Sequence, residues 1–183
     1  MDWNIKSKNV LASTPVGKLE EVFLTENAGD TPLGHPYYRL HTASWVNIFA
    51  LTPDSQVILV RQPRVGMMQM TLEVPGGGID DGEDPAIAAA RELEEETGYR
   101  AGSIEAVGVI SPNPAIMTNR LYMFLARNCS IPPDRQHFPD TTERIEVSTL
   151  PLAELDAKMK VGGIHNALAA LTILMARRYI LQD

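Results

Sequence analysis

An α/β (α+β) sandwich is the fold class this sequence predicts, and three observations predict it. Short apolar, strand-like segments crowd the first two thirds of the chain, one helical segment follows a run of glycines, and two more close the chain. With 183 residues, 44% hydrophobic and 21% charged, it is one domain's worth of protein, large enough for a sizeable core without disulfides. A mixed sheet with helices outside it is the expected result, with a small N-terminal β segment added.

The elements follow in order. The first 36 residues are punctuated by Gly17, Gly29, Pro32, Gly34 and Pro36, with one short strand predicted over Leu19–Glu26. Residues 1–36 are therefore expected to be an N-terminal β appendage, and residues 37–183 the main domain. Ser44–Leu51 and Gln56–Gln62 flank Thr52-Pro53-Asp54-Ser55, which reads as a hairpin. Met70–Val74 is a further short strand, halted by Pro75-Gly76-Gly77-Gly78. Asp84 as N-cap, Pro85 at the first helical position and Gly98 as C-cap frame a helix. Its apolar face is expected to be Ala86, Ile87, Ala89, Ala90 and Leu93. Strands are then predicted over Ile104–Ile110, Leu121–Ala126 and Arg144–Ser148, and helices over Pro151–Met159 and Ile164–Leu181.

Composition excludes several classes. A single cysteine, Cys129, supports neither a disulfide framework nor a multi-cysteine metal site. MDWNIKSKNV lacks the apolar run of a signal peptide, so a cytoplasmic location is the expectation. The last apolar stretch is interrupted by His165, Asn166, Thr172, Arg177 and Arg178, which argues against a membrane span. The four histidines, His35, His41, His137 and His165, lack ligand spacing and receive no catalytic role.

Charge localises the chemistry. Between Asp80 and Glu96, eight acidic residues face Arg91 alone, a local charge equal to the −7 of the whole chain. Everything else balances, so no basic face for nucleic acid exists. Glu92, Glu95 and Glu96 stand at i, i+3 and i+4 and project from one side of the predicted helix. Like charges so spaced repel one another unless something neutralises them. The pattern alone is either a solvated helix face or a site for a hard cation such as Mg²⁺ or Mn²⁺. The glycines upstream let main chain approach a ligand, and Arg91 is placed to orient a glutamate through paired hydrogen bonds.

Taken together, Gly77, Glu83, Arg91, Glu92, Leu93, Glu95, Glu96, Gly98 and Tyr99 spell G-x5-E-x7-R-E-U-x-E-E-x-G-U, with U apolar or aromatic. This resembles a complete Nudix box, the metal-binding loop–helix–loop of Nudix pyrophosphohydrolases. The resemblance implies a Nudix-type α/β/α sandwich and cleavage of a diphosphate linked to a nucleoside. It implies that Glu92, Glu95 and Glu96, with the carbonyl of Gly76, hold Mg²⁺ (Mn²⁺ substituting). Glu83 would support the site and Arg91 would position the glutamates, so Glu95, Glu96 and Arg91 are the catalytic candidates.

VILVRQPR (Val57–Arg64), TLEVPGGGIDDGE (Thr71–Glu83) and ERIEVSTLPLAEL resemble the ADP-ribose pyrophosphatase and nucleoside-diphosphate-sugar hydrolase branch. In that branch the N-terminal segment pairs between subunits, which implies a homodimer and accounts for the appendage. A glutamate before the last strand also serves the site there; Glu143 matches, with Glu146 behind it. Ser111–Arg120 (SPNPAIMTNR) departs from the branch's glycine–aromatic–acidic pattern, which argues against ADP-ribose alone and leaves GDP-mannose or a broad nucleoside-diphosphate-sugar activity open. Asn113 and Asn119 are candidates for sugar hydroxyls, or for shaping a turn. Arg39, Arg61 and Arg64 are candidates for phosphate. Trp3, Tyr37 and Trp45 are candidates for stacking, with core packing the fate expected of Trp45. Two other readings compete: a hydrolase of nucleoside triphosphates or dinucleoside polyphosphates, and a non-catalytic sensor of ADP-ribose-like ligands.

Overall fold

The computed structural model describes residues 3–26, 33–138 and 144–180. The chain divides into two compact units, one formed by Met1–Ser44 with Ser111–Arg120, the other by Trp45–Ile110 with Leu121–Asp183.

The first unit is a three-stranded antiparallel sheet in the order β1 (Trp3–Thr14), β2 (Gly17–Glu26), β3 (Tyr37–His41). Only β2 shows an alternating burial pattern, with Glu20, Val22, Leu24 and Thr25 inward. All twelve residues of β1 are exposed, so its sequence carries no two-residue apolar period. That is why composition alone predicts one strand here while the structure has three. Glu20 is buried and takes Lys8 Nζ at 3.2 Å and Arg39 Nε at 2.8 Å from the strands on either side. The Ser111–Arg120 segment joins this sheet through a Leu40–Met117 bridge and a hydrogen bond from Leu40 N–H to the Ile116 carbonyl.

The second unit is the predicted sandwich. Its six-stranded mixed sheet runs β6 (Gln69–Glu73), β5 (Gln56–Arg64), β4 (Trp45–Leu51), β8 (Leu121–Arg127), β7 (Ser103–Ile110), with β9 (Glu146–Pro151) also paired to β5. β4 and β8 are parallel, and all other pairs are antiparallel. Alternation on β4 divides the core: Val46, Ile48 and Ala50 face α1 (Pro85–Thr97), while Phe49 and Leu51 face α3 (Ala167–Ile180). On α1 the buried apolar residues are Ala88, Ala89 and Leu93. Ala86, Ile87 and Ala90 are exposed, which corrects the expected face by about a hundred degrees.

The last elements start later than predicted. β9 begins at Glu146, a single 3-10 turn covers Leu152–Glu154, and α2 is only Leu155–Lys160. Asn166 sets the start of α3, since its Oδ1 accepts the N–H groups of Leu168 and Ala169 at 2.9 and 3.2 Å.

Candidate active site

The site is built where the glycine run meets α1. Pro75–Gly78 lies against the start of β4: Val46 N–H donates to the Gly77 carbonyl at 2.9 Å and Ile48 N–H to the Pro75 carbonyl at 2.8 Å. At Gly76 and Gly77 there is no room for a side chain. A Cβ on Gly76 would stand 2.2 Å from the Val46 carbonyl oxygen, and one on Gly77 would stand 2.5 Å from the Glu92 carboxylate. Asp84 accepts the Ala86 N–H at 2.8 Å and Pro85 opens the helix; Gly98 closes it at φ 77°. These devices bring Glu92 and Glu96 to the glycine backbone and leave Glu95 beside Arg91.

Arg91 gathers the carboxylates. Its Nε and Nη2 each donate to one oxygen of Glu83 at 2.9 Å. Its Nη1 donates to both Glu92 Oε1 and Glu95 Oε2 at 2.8 Å, and Nη2 also reaches the Gly78 carbonyl at 3.0 Å. The paired hydrogen bond to Glu83 raises the Arg91 pKa well beyond its ordinary value. It likewise holds Glu83 below the usual carboxylate range. Glu96 is buried and its Oε2 accepts the Gly76 N–H at 2.8 Å.

Among the described residues, no three acidic, His or Cys side chains already converge as a metal cluster. Arg91 stands between Glu92 and Glu95 in their place. The donor types nevertheless suit a hard divalent cation: the Glu92 carboxylate lies where a Cβ on Gly77 would collide, Glu96 is tied to the Gly76 amide, and Glu95 follows one turn from Glu92.

One contributor was not foreseen. Glu73, on β6, is buried and accepts Arg64 Nε and Nη2 at 2.9 and 2.8 Å, with Thr71 and Asn166 also bonded to it. Burial pushes its pKa up, but Arg64, Thr71 and Asn166 outweigh that and hold it below 4.5. Arg64 also feels the charge of Glu96, so the pair borders the acidic face. The signal in the sequence was an acid at an inward position of an apolar strand, two residues from Thr71.

Arg61 pairs at 3.1 Å with Glu146, both exposed. Arg39 belongs to the first unit, committed to Glu20. Asn113 is exposed, and its carbonyl accepts the N–H groups of Ile116 and Met117 in a turn. Asn119 is 3% exposed with neither amide atom partnered among the described residues. Trp3 lies 5.9 Å from Tyr37, ring to ring, and Trp45 packs against the core of the second unit. Glu143 lies outside the described residues.

An ADP-ribose pyrophosphatase of Bacillus subtilis (strain 168) is 29% identical over 128 residues, 70% of this chain and 69% of that protein. A GDP-mannose pyrophosphatase of Cronobacter sakazakii (strain ATCC BAA-894) is 30% identical over 123 residues, 64% of each chain. An ADP-sugar pyrophosphatase of Mus musculus is 48% identical over 60 residues, 33% of this chain and 28% of that one. The crystal structure of an ADP compounds hydrolase has the same fold, with a TM-score of 0.83 at 23% identity, covering 100% of this chain and 96% of that one. The NUDIX domain pattern matches residues 41–171, which takes in β4 through the first turn of α3 and every glutamate gathered by Arg91. The chain belongs to the NUDIX domain family.

Proposed function

We propose that this protein hydrolyses the diphosphate bond of a nucleoside-diphosphate sugar of the ADP-ribose or GDP-mannose class, using Mg²⁺. The observation that carries the reading is the complete acidic face of α1, with Glu92 and Glu95 drawn to one guanidinium nitrogen and Glu96 tied to the Gly76 amide. A sensor that only binds has no need of so intact a set. The printed activities of the relatives from Bacillus subtilis and Cronobacter sakazakii support the substrate class.

In this reading Glu92, Glu95 and Glu96, with the Gly76 carbonyl, hold the cation. When bound, it offsets the charge of the diphosphate and lowers the pKa of water. Arg91 keeps its two-toothed hold on Glu83, which fixes the guanidinium while Nη1 releases Glu92 and Glu95. Arg64, itself oriented by Glu73, faces a phosphate; Arg39 and Arg61 are further phosphate candidates. One water oxygen bonds to phosphorus as the bridging P–O bond breaks, leaving a nucleoside monophosphate and a sugar phosphate.

Asn119 is a candidate for a sugar hydroxyl. Asn113 is a weaker candidate for the same role, and Glu143 remains the candidate acid before β9. The reading includes a homodimer formed through the N-terminal strands. Its support is β1, which exposes Trp3, Ile5, Val10 and Leu11 along one strand.

Turnover with Mg²⁺ across ADP-ribose, GDP-mannose, UDP-glucose, a dinucleoside polyphosphate and nucleoside triphosphates tests the reading. Cleavage of the diphosphate sugars is the expected result. Cleavage of triphosphates or polyphosphates alone overturns the substrate class, and tight ADP-ribose binding without turnover makes the protein a sensor. Sedimentation of the full chain tests the dimer, with a monomer at micromolar concentration as the opposing result.

A further inference from the structure

α1 carries a fourth glutamate, outside the acidic face and at a position the family pattern leaves open. Glu94 is 3% exposed. Its Oε1 accepts Arg100 Nη2 at 3.0 Å and the Gln136 N–H at 2.6 Å, and its Oε2 accepts Arg100 Nε at 3.3 Å. Arg100 continues to Asp134, meeting its Oδ1 at 3.1 Å and its carbonyl at 3.2 Å.

Arg135 fastens the same segment from the other side. Its Nη2 donates to the carbonyls of Glu94 and Glu95 at 2.9 and 2.8 Å, in the last turn, where a helix leaves its carbonyls short of partners. Its Nε donates to the His137 carbonyl at 2.7 Å, and the guanidinium lies 4.8 Å from the centre of the Phe138 ring. Gly98 leaves the space for this: a Cβ there would press to 3.3 Å from Arg135 Nη1.

Exposed ion pairs alone would hold such a segment weakly. A buried carboxylate that takes both a guanidinium and a backbone N–H is strongly destabilised by loss of either, so the segment and the helix move as one piece. The outcome is a placement. His137 Nδ1 stands 3.9 Å from Glu95 Oε1, while the other oxygen of Glu95 is held by Arg91. The carboxylate of Glu95 lies between the two.

We propose that Glu94 and Arg135 form a clamp that positions His137 against Glu95, and that His137 sets the Glu95 carboxylate for the reaction. His137 acts through Glu95 and is a positioning residue. The activity arm of the test rests on the proposed diphosphate hydrolysis; a spectroscopic arm does not.

In the full chain, Arg135→Ala and His137→Ala are each expected to lower kcat about tenfold with KM within about twofold, as loss of positioning does. The double variant is expected to lose no more than either single one. Arg135→Lys restores only part of the rate, because one ammonium cannot serve two carbonyls and His137 together. Multiplying losses, or a wild-type rate in His137→Ala, overturn the proposal. If Arg135→Ala fails to fold, Glu94→Gln keeps an acceptor for the Gln136 N–H and is measured instead.

The second arm reads the His137 imidazole resonance by NMR without substrate. Glu95→Gln is expected to shift it in the wild-type background and to leave it unmoved in Arg135→Ala. Equal shifts in both backgrounds overturn the clamp. A wild type that cleaves no diphosphate defeats the proposed function while leaving this measurement decisive for the clamp.

Discussion

At the scale of single residues the site is organised by charge. Arg91 is the one cation among the acids of α1, and it compensates two of them, Glu92 and Glu95, together with Glu83 just ahead of the helix, at distances of 2.8–2.9 Å. Glu96 is tied in addition to backbone, its Oε2 accepting the Gly76 N–H. Glu96→Gln preserves an acceptor for Gly76 and removes a negative charge from a crowded face. It is expected to abolish more than 99% of turnover, a roughly hundredfold loss or greater for a group in the reacting constellation. Its circular dichroism and melting temperature should match those of the wild type or exceed them. Full activity in this variant would sink the assignment of the acidic face.

Glu73 gives a pH dependence of known sign. Its folded-state pKa lies below 4.5: burial raises it, and Arg64, Thr71 and Asn166 lower it by more. Its stabilising contribution is therefore complete above pH 4.5 and is lost as pH falls through the folded value. Glu73→Gln cannot carry that contribution. The melting-temperature gap between wild type and variant should be widest near pH 7 and narrow below pH 4.5; a constant gap would contradict the pairing. A constant rate would also separate Glu73 from Arg64 in function, since the variant frees the guanidinium.

At the scale of elements, α1 was the most legible part of the sequence and its burial the least. Asp84, Pro85 and Gly98 mark its ends through local chemistry that a sequence displays openly: a side-chain acceptor, a fixed φ, a residue at ease at φ 77°. Which face turns inward depends on the sheet it meets, and Ala88 replaced Ala86 and Ala90 in that role. β1 escaped for a related reason, since a strand with both faces exposed leaves no apolar period. Glu94 and Arg135 are 41 residues apart in sequence, and only the fold brings them together. Asp84→Ala removes the acceptor of the Ala86 N–H and should cost about 1 kcal/mol. For a chain of this size that lowers the melting temperature by roughly 2–4 °C. No change in thermal melting would mean that the cap is dispensable.

At the scale of the molecule, the sandwich and its acidic seam trade stability for a site. The core is divided cleanly by the alternation of β4 and β8, with Phe49, Leu59, Leu121, Met123 and Leu125 on the α3 side and Val46, Ile48, Ile58 and Phe124 on the α1 side. The apolar strands themselves were readable in the sequence, whereas the grouping of Ser111–Arg120 with the N-terminal sheet was not, because it depends on the Leu40–Met117 bridge. The helix that faces the core through Ala88, Ala89 and Leu93 also carries Glu92, Glu94, Glu95 and Glu96 against Arg91, a net −3 of the chain's −7. Arg91 offsets only part of that acidity. A divalent cation bound to Glu92, Glu95 and Glu96 would offset more of it and bind the folded state alone. The folded state should then gain RT ln(1 + [Mg²⁺]/Kd), about 2.7 kcal/mol at a hundredfold excess over Kd. Thermal melting with millimolar MgCl₂ against EDTA should show a rise of several degrees in the wild type, at roughly 2–4 °C per kcal/mol. The same titration at matched ionic strength with NaCl should show little, since screening alone acts weakly on partly buried pairs. Replacing Glu92, Glu95 and Glu96 together by Gln should erase the magnesium-specific rise and lift the metal-free melting temperature, because repulsion along one helix face is gone. A rise of equal size in that triple variant would place the cation elsewhere in the molecule.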